Sequence, residues 1–127
     1  MRAIKFRGQD EDGKWLYGDL RQRIGYWPAI IESYCTDEGK VGYREIAVKE
    51  GTVGQFTNLH DMDGMEIYEG DVLMIEGIKT NRYSKVWWNP DKFTFYIGHS
   101  PMDAYLRKDG NLCDFCIVGN IYDNPKL

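Results

Sequence analysis

The chain is poor in what most catalytic or membrane proteins need. It has only two histidines, His60 and His99, in 127 residues. Neither sits in a nucleophile motif such as G-x-S-x-G, and no P-loop or G-x-G-x-x-G appears. No window approaches the roughly 18 apolar residues that a membrane-spanning helix requires. The opening residues Met-Arg-Ala-Ile-Lys-Phe-Arg lack the apolar core of a secretory signal. Cysteine is scarce and odd in number: Cys35, Cys113 and Cys116. A cytoplasmic protein with reduced thiols is therefore expected. Proline is also rare, four against fourteen glycines, which points to tight turns rather than a stiff linker.

Aromatics are plentiful. Four Trp, nine Tyr and five Phe, within 43% hydrophobic residues, supply a core without disulfide or metal support. The length predicts one structural unit, with a soft boundary near residue 50. The net charge of −4 argues against general binding of polyanions.

Periodicity of two dominates. Residues 2–7 alternate, with Ile4 and Phe6 on one face. Residues 10–13 form an acidic turn closed by Gly13, and residues 15–20 return as an aromatic strand. Residues 26–34 read as a third strand with Pro28 near its start, where an edge or bulge tolerates proline. Residues 43–49 read as a strand with Ile46 and Val48 inward; a short helix over 44–50 is the alternative. Residues 53–57 are a short strand, and Asn58 suits a left-handed position. Turns at 61–64 and 69–71 flank the extended residues 65–68. The run Val72-Leu73-Met74-Ile75 is apolar on both sides and reads as a covered strand. Residues 83–88 alternate, with Val86 and Trp88 facing one way and Tyr83, Lys85 and Trp87 the other. Phe93, Phe95 and Ile97 are expected to share a face opposite Lys92, Thr94 and Tyr96. Pro101 begins the best helix candidate, residues 101–108, with Ser100 as its N-cap. Residues 112–118 form the last strand, and residues 123–125 a turn.

Three segments in order resemble the YopX family, small phage and prophage proteins without an assigned activity. They are I-K-F-R at residues 4–7, V-G-Q-F-T-N-L-H-D-M-D-G-M-E-I-Y-E-G-D-V at 53–72, and V-G-N-I-Y-D-N-P at 118–125. The family usually carries glycine where this chain has Asn58, and asparagine can take the same backbone shape. Its turn is usually more polar than His60-Asp61-Met62-Asp63. The resemblance implies a mostly β protein encoded by a phage or prophage, and it brings no catalytic residue.

The expected fold is mainly β. Residues 51–127 are expected to form a small, strongly bent barrel, SH3-like or related, with N-terminal strands from residues 1–50 and at most one short helix. Four candidate chemistries follow. Cys113 and Cys116 have metal or redox spacing, but in a strand residues three apart point to opposite faces, and only Cys35, His60 and His99 could complete a zinc site. Asp61, Asp63, Glu66, Glu69 and Asp71 lack calcium-loop spacing and read as turn caps. A metal-dependent hydrolase on His60, Asp61 and Asp63 is the weakest reading. The stripe Lys79, Arg82, Tyr83, Lys85, Trp87, Lys92, Thr94 and Tyr96 is basic and aromatic, and if its strands pair, Tyr83, Lys85 and Trp87 share an outer face with Lys92, Thr94 and Tyr96. Single-strand nucleic-acid binders use such a face, and so do protein interfaces. A non-enzymatic protein binder without cofactors is the leading expectation, single-stranded nucleic-acid binding the second. Self-association remains open.

Overall fold

The computed structural model describes residues 2–75, 83–107, 111–112 and 114–125. The protein is mainly β, and its strands form antiparallel ladders. Two compact units divide it, Met1–Gln55 and Phe56–Leu127. The division falls inside a strand, β5 (Gly54–His60), rather than in a loop.

The first unit holds β1 (Phe6–Gln9), β2 (Trp15–Arg21), β3 (Ala29–Cys35) and β4 (Val41–Ala47). They pair in the order β4-β3-β2-β1, and β1 then takes the start of β5 through Phe6↔Gln55 and Arg7↔Gly54. The β1–β2 turn forms as read: Gly13 has φ 86°, and Asp10 Oδ1 accepts from the amides of Asp12 (3.0 Å) and Lys14 (2.9 Å). Alternation puts Leu16 inside, where it packs with Ile30 and Val48, and with Phe6, Leu20, Ile46 and Val53 around them. Each such fully buried aliphatic side chain contributes about 1.5–3 kcal/mol. Ile4, expected to share the face of Phe6, is exposed. β1 lies against this core so closely that a Cβ on Gly8 would stand 2.8 Å from a Val48 methyl. Residues 43–49 are strand, not helix, up to Ala47, and a 3-10 turn (Glu50–Thr52) follows. Thr52 Oγ1 ties that turn to β1, accepting from Gln9 N at 3.0 Å and donating to Lys49 O at 2.7 Å. The third strand starts three residues later than expected, at Ala29. Pro28 precedes it, and Pro28 O accepts from Val48 N at 2.9 Å.

The second unit holds the rest of β5, then β6 (Glu66–Tyr68), β7 (Asp71–Ile75), β8 (Tyr83–Asn89), β9 (Thr94–Ile97), β10 (Ser100–Pro101) and β11 (Phe115–Asn120). β5 pairs β6 through Phe56↔Tyr68 and His60↔Glu66, with an irregularity between them where Asn58 takes φ 66°, as its sequence position suggested. A five-stranded sheet follows the order β10-β9-β8-β7-β11. No closed barrel is found among the described residues; this sheet ends at the two-residue β10 on one side and at β11 on the other. Val72 and Leu73 are both buried, so β7 is covered on both faces. The core gathers Ile67, Leu73, Val86, Phe95, Ile97, Met102, Leu112 and Phe115.

Three local expectations are corrected. The helix expected at 101–108 is a 3-10 turn (Met102–Tyr105) without a side-chain cap. Ser100 is instead engaged in β10, opposite Ile97, and Leu106 returns to extended backbone, while Met102 is drawn into the core. Phe93 does not join Phe95 and Ile97. It sits in the β8–β9 turn with φ 55° and is 80% exposed, because the turn closed by Lys92 N donating to Asn89 O must leave through a left-handed residue. The last strand begins at Phe115 rather than 112; Asp114, at φ 63°, breaks the extended run before it.

Candidate functional site

The acidic corner comes first, since it held the candidate metal ligands. Asp61 is 2% exposed. Its Oδ1 accepts from the amides of Asp63 and Met65, both at 2.9 Å, and its Oδ2 accepts from Ile117 N at 3.1 Å. The carboxylate thus closes its own turn and holds β11 to it. Met62 N donating to Phe115 O (2.9 Å) and Leu112 N donating to His60 O (2.7 Å) reinforce the junction. The ring of His60 lies edge-on to Phe56 at 5.7 Å. Asp71 Oδ2 accepts from Tyr68 N at 2.8 Å, which shapes the second turn, where Gly70 has φ 88°. These acids are turn and junction acceptors. No group of three potential metal ligands gathers among the described residues.

Cys113 lies outside the described residues. Cys116 is half-buried in β11 opposite Met74, whose carbonyl accepts from its Sγ at 3.7 Å, and Cys35 is exposed at the end of β3.

The aromatic and basic stripe is assembled in part. Lys79 and Arg82 lie outside the described residues. In β8, Tyr83, Lys85 and Trp87 alternate onto one side, and Trp87 stands directly opposite Tyr96 of β9. Their ring centres are 5.5 Å apart at 57°. The Trp87 indole N–H donates to Gly98 O at 2.7 Å, so the ring is held in place rather than left to swing. Tyr83 and Lys85 are exposed; Lys92 is exposed in the β8–β9 turn. Trp88, expected to point inward with Val86, is exposed at the rim, edge-on to Phe95 at 5.0 Å. The structure therefore brings together Lys85, Trp87 and Tyr96, with Tyr83 and Lys92 at the ends of the same hairpin.

A second surface was not read from the sequence. In the first unit, β2 and β3 are joined by residues 22–28, a loop bounded by the paired residues Arg21 and Ala29. Arg21 Nε at the end of β2 forms an ion pair with Glu45 of β4, reaching across β3. Gly25 takes φ 83°, and Tyr26 N donates to Arg23 O at 3.2 Å. This tight bend throws Ile24, Tyr26 and Trp27 outward, at 102%, 69% and 57% exposure. Beside them a shallow cleft of about 150 Å³ is lined by Gln22, Arg23, Tyr26, Pro28, Glu50 and Val53. The signal was present as apolar residues around Gly25 and before Pro28. Alternation assigned Tyr26 to a strand, and a strand would have covered one face.

Among the described residues no helix is long and apolar enough to cross a membrane. No curated protein matches this sequence. A crystal structure of protein EF1440 from Enterococcus faecalis is similar in fold, with a TM-score of 0.62 at 19% identity over 99% of this chain and 98% of that one. The model of the YopX protein family matches residues 5–127. The chain belongs to the YopX family.

Proposed function

We propose that this is a non-enzymatic phage or prophage accessory protein that acts in the bacterial cytoplasm by binding a protein partner through the β2–β3 loop. The observation that carries the reading is the outward cluster Ile24, Tyr26 and Trp27. Three large apolar side chains within four residues, turned outward at a glycine bend, form an apolar knob. Trp and Tyr are the residue types that dominate interface energetics when a partner pocket desolvates them. Arg23 and Gln22 supply a polar rim. The acidic corner does not compete with this reading, because the Asp61 carboxylate already accepts three backbone amides.

The test is affinity capture from lysate of the phage-bearing host, treated with nuclease, using the parent chain and the Trp27→Ala variant. A single protein retained by the parent and released by the variant supports the reading. Equal capture by both, or capture that nuclease removes, overturns it.

A second reading is single-stranded nucleic-acid binding on the β8–β9 hairpin. The fixed Trp87–Tyr96 pair beside Lys85 favours it. Lys85→Glu combined with Trp87→Ala is then expected to abolish salt-sensitive binding of a labelled oligonucleotide. Absence of binding by the parent at low salt ends this reading.

A further inference from the structure

Among the described residues no strand pairs with the outer edge of β4. On its other side β4 pairs with β3 in continuous register from Ala29↔Ala47 to Cys35↔Val41. It contains no proline and no bulge, the usual devices that spoil an edge for further pairing. Its charges are turned to the faces of the sheet: Glu45 is paired with Arg21, and the Arg44 guanidinium lies over the Tyr34 ring at 5.2 Å. Val41 and Tyr43 are 66% and 71% exposed.

We propose that this edge pairs with the same edge of a second copy, antiparallel and two-fold symmetric, centred on Tyr43. The register follows from charge. In an antiparallel ladder directly opposed residues share a face, so a two-fold axis must fall on a residue. Centring on Arg44 sets arginine against arginine, and centring on Glu45 sets glutamate against glutamate; like charges directly opposed are destabilising. Centring on Gly42 or Ile46 opposes only the ends of the two strands. Centring on Tyr43 opposes residues 41–45 of each copy with no like-charge pair. It sets Tyr43 against Tyr43, Val41 against Glu45 and Gly42 against Arg44. The last pairing has a specific fit. The space a Cβ would occupy at Gly42 is filled by the Tyr34 ring, which already receives the guanidinium of its own chain. The second copy's arginine comes up beside that ring, and the two guanidinium groups so gathered are balanced by the two Glu32 carboxylates of the adjoining β3 strands.

The inference does not rest on the β2–β3 loop, and its test separates the two. Sedimentation over a concentration series is expected to show a monomer–dimer equilibrium of the 14.8 kDa chain. Tyr43→Lys, which sets two lysines in opposition, is expected to weaken the dimer at least about tenfold. It should leave the circular dichroism spectrum and any Trp27-dependent capture unchanged. In a chain with Cys35, Cys113 and Cys116 replaced by Ser, Tyr43→Cys should oxidise to a covalent dimer faster than Arg44→Cys or Glu45→Cys. A monomer at every concentration up to several hundred micromolar overturns the proposal. So does a dimer indifferent to Tyr43→Lys, or preferential coupling at position 44 or 45.

Discussion

Asp61→Asn separates a turn former from a structural junction. Asparagine is a good turn residue, and it keeps an acceptor oxygen for the amides of Asp63 and Met65. It also places an NH₂ group where Oδ2 now accepts from Ile117 N, so two donors face each other across 3.1 Å. Each hydrogen bond to a carboxylate is worth about 1.5–3 kcal/mol, and leaving a buried donor unsatisfied costs about 1–3 kcal/mol. Asp63 and Met65 are exposed, so water can replace their share of the carboxylate. The half-buried contact to Ile117 has no such replacement, and it joins residues 56 apart in sequence. Asp61→Asn is therefore expected to lose about 2–3 kcal/mol and Asp61→Ala about 3–4 kcal/mol. Urea unfolding followed by tryptophan fluorescence reads this directly. With a slope of about 1–2 kcal/mol/M, the midpoint falls by on the order of 1–3 M for the asparagine variant. An asparagine variant within about 0.5 kcal/mol of the parent refutes the reasoning, because the carboxylate would then be serving its own turn only.

Phe93→Gly is expected to raise stability by about 1 kcal/mol, since the side chain is 80% exposed and its φ of 55° is strained for a bulky residue; thermal unfolding checks it, and a lower midpoint shows that the ring packs usefully. Gly18→Ala is expected to cost at least about 3 kcal/mol, because an added Cβ collides with the carbonyl oxygen of Ile31 in the neighbouring strand. Gly51→Ala, with nothing within 4 Å of its Cβ position, should fall within about 0.5 kcal/mol of the parent in the same urea titration. Leu73→Ala, at a fully buried position in the covered strand, is expected to lose about 2–5 kcal/mol; a loss under about 1 kcal/mol would place Leu73 outside the cooperative core.

Many of the strand positions were legible because local signals agreed. The β1–β2 hairpin has alternation on both sides of a turn whose Asp10 and Gly13 do their separate tasks. The burial of β7 on both faces shows in its unbroken apolar run. Trp87 and Tyr96 face each other as the alternation of their strands implied. The helix at 101–108 failed because a capping pattern is a local preference, whereas burial of Met102 and pairing of Ser100 are tertiary gains that outweigh it over so few residues. The exposed loop at 22–28 was missed for the converse reason. Apolar residues ordinarily announce a covered strand, and only the pairing of Arg21 with Ala29 shows that these lie beyond its end.

From its residues alone, this chain determined a β protein with acidic, glycine-closed turns and no recognisable reactive motif. Those properties depend on neighbours in sequence: alternation, side-chain acceptors two to four residues from the amides they cap, and left-handed backbone at glycine and asparagine. Tertiary structure decided which carboxylate also binds a distant strand, where the chain divides, and which apolar side chains stay in water. Each of these is a contest between partners far apart along the chain. Burial and pairing settle such contests only once the sheet has formed, and no local pattern records the winner.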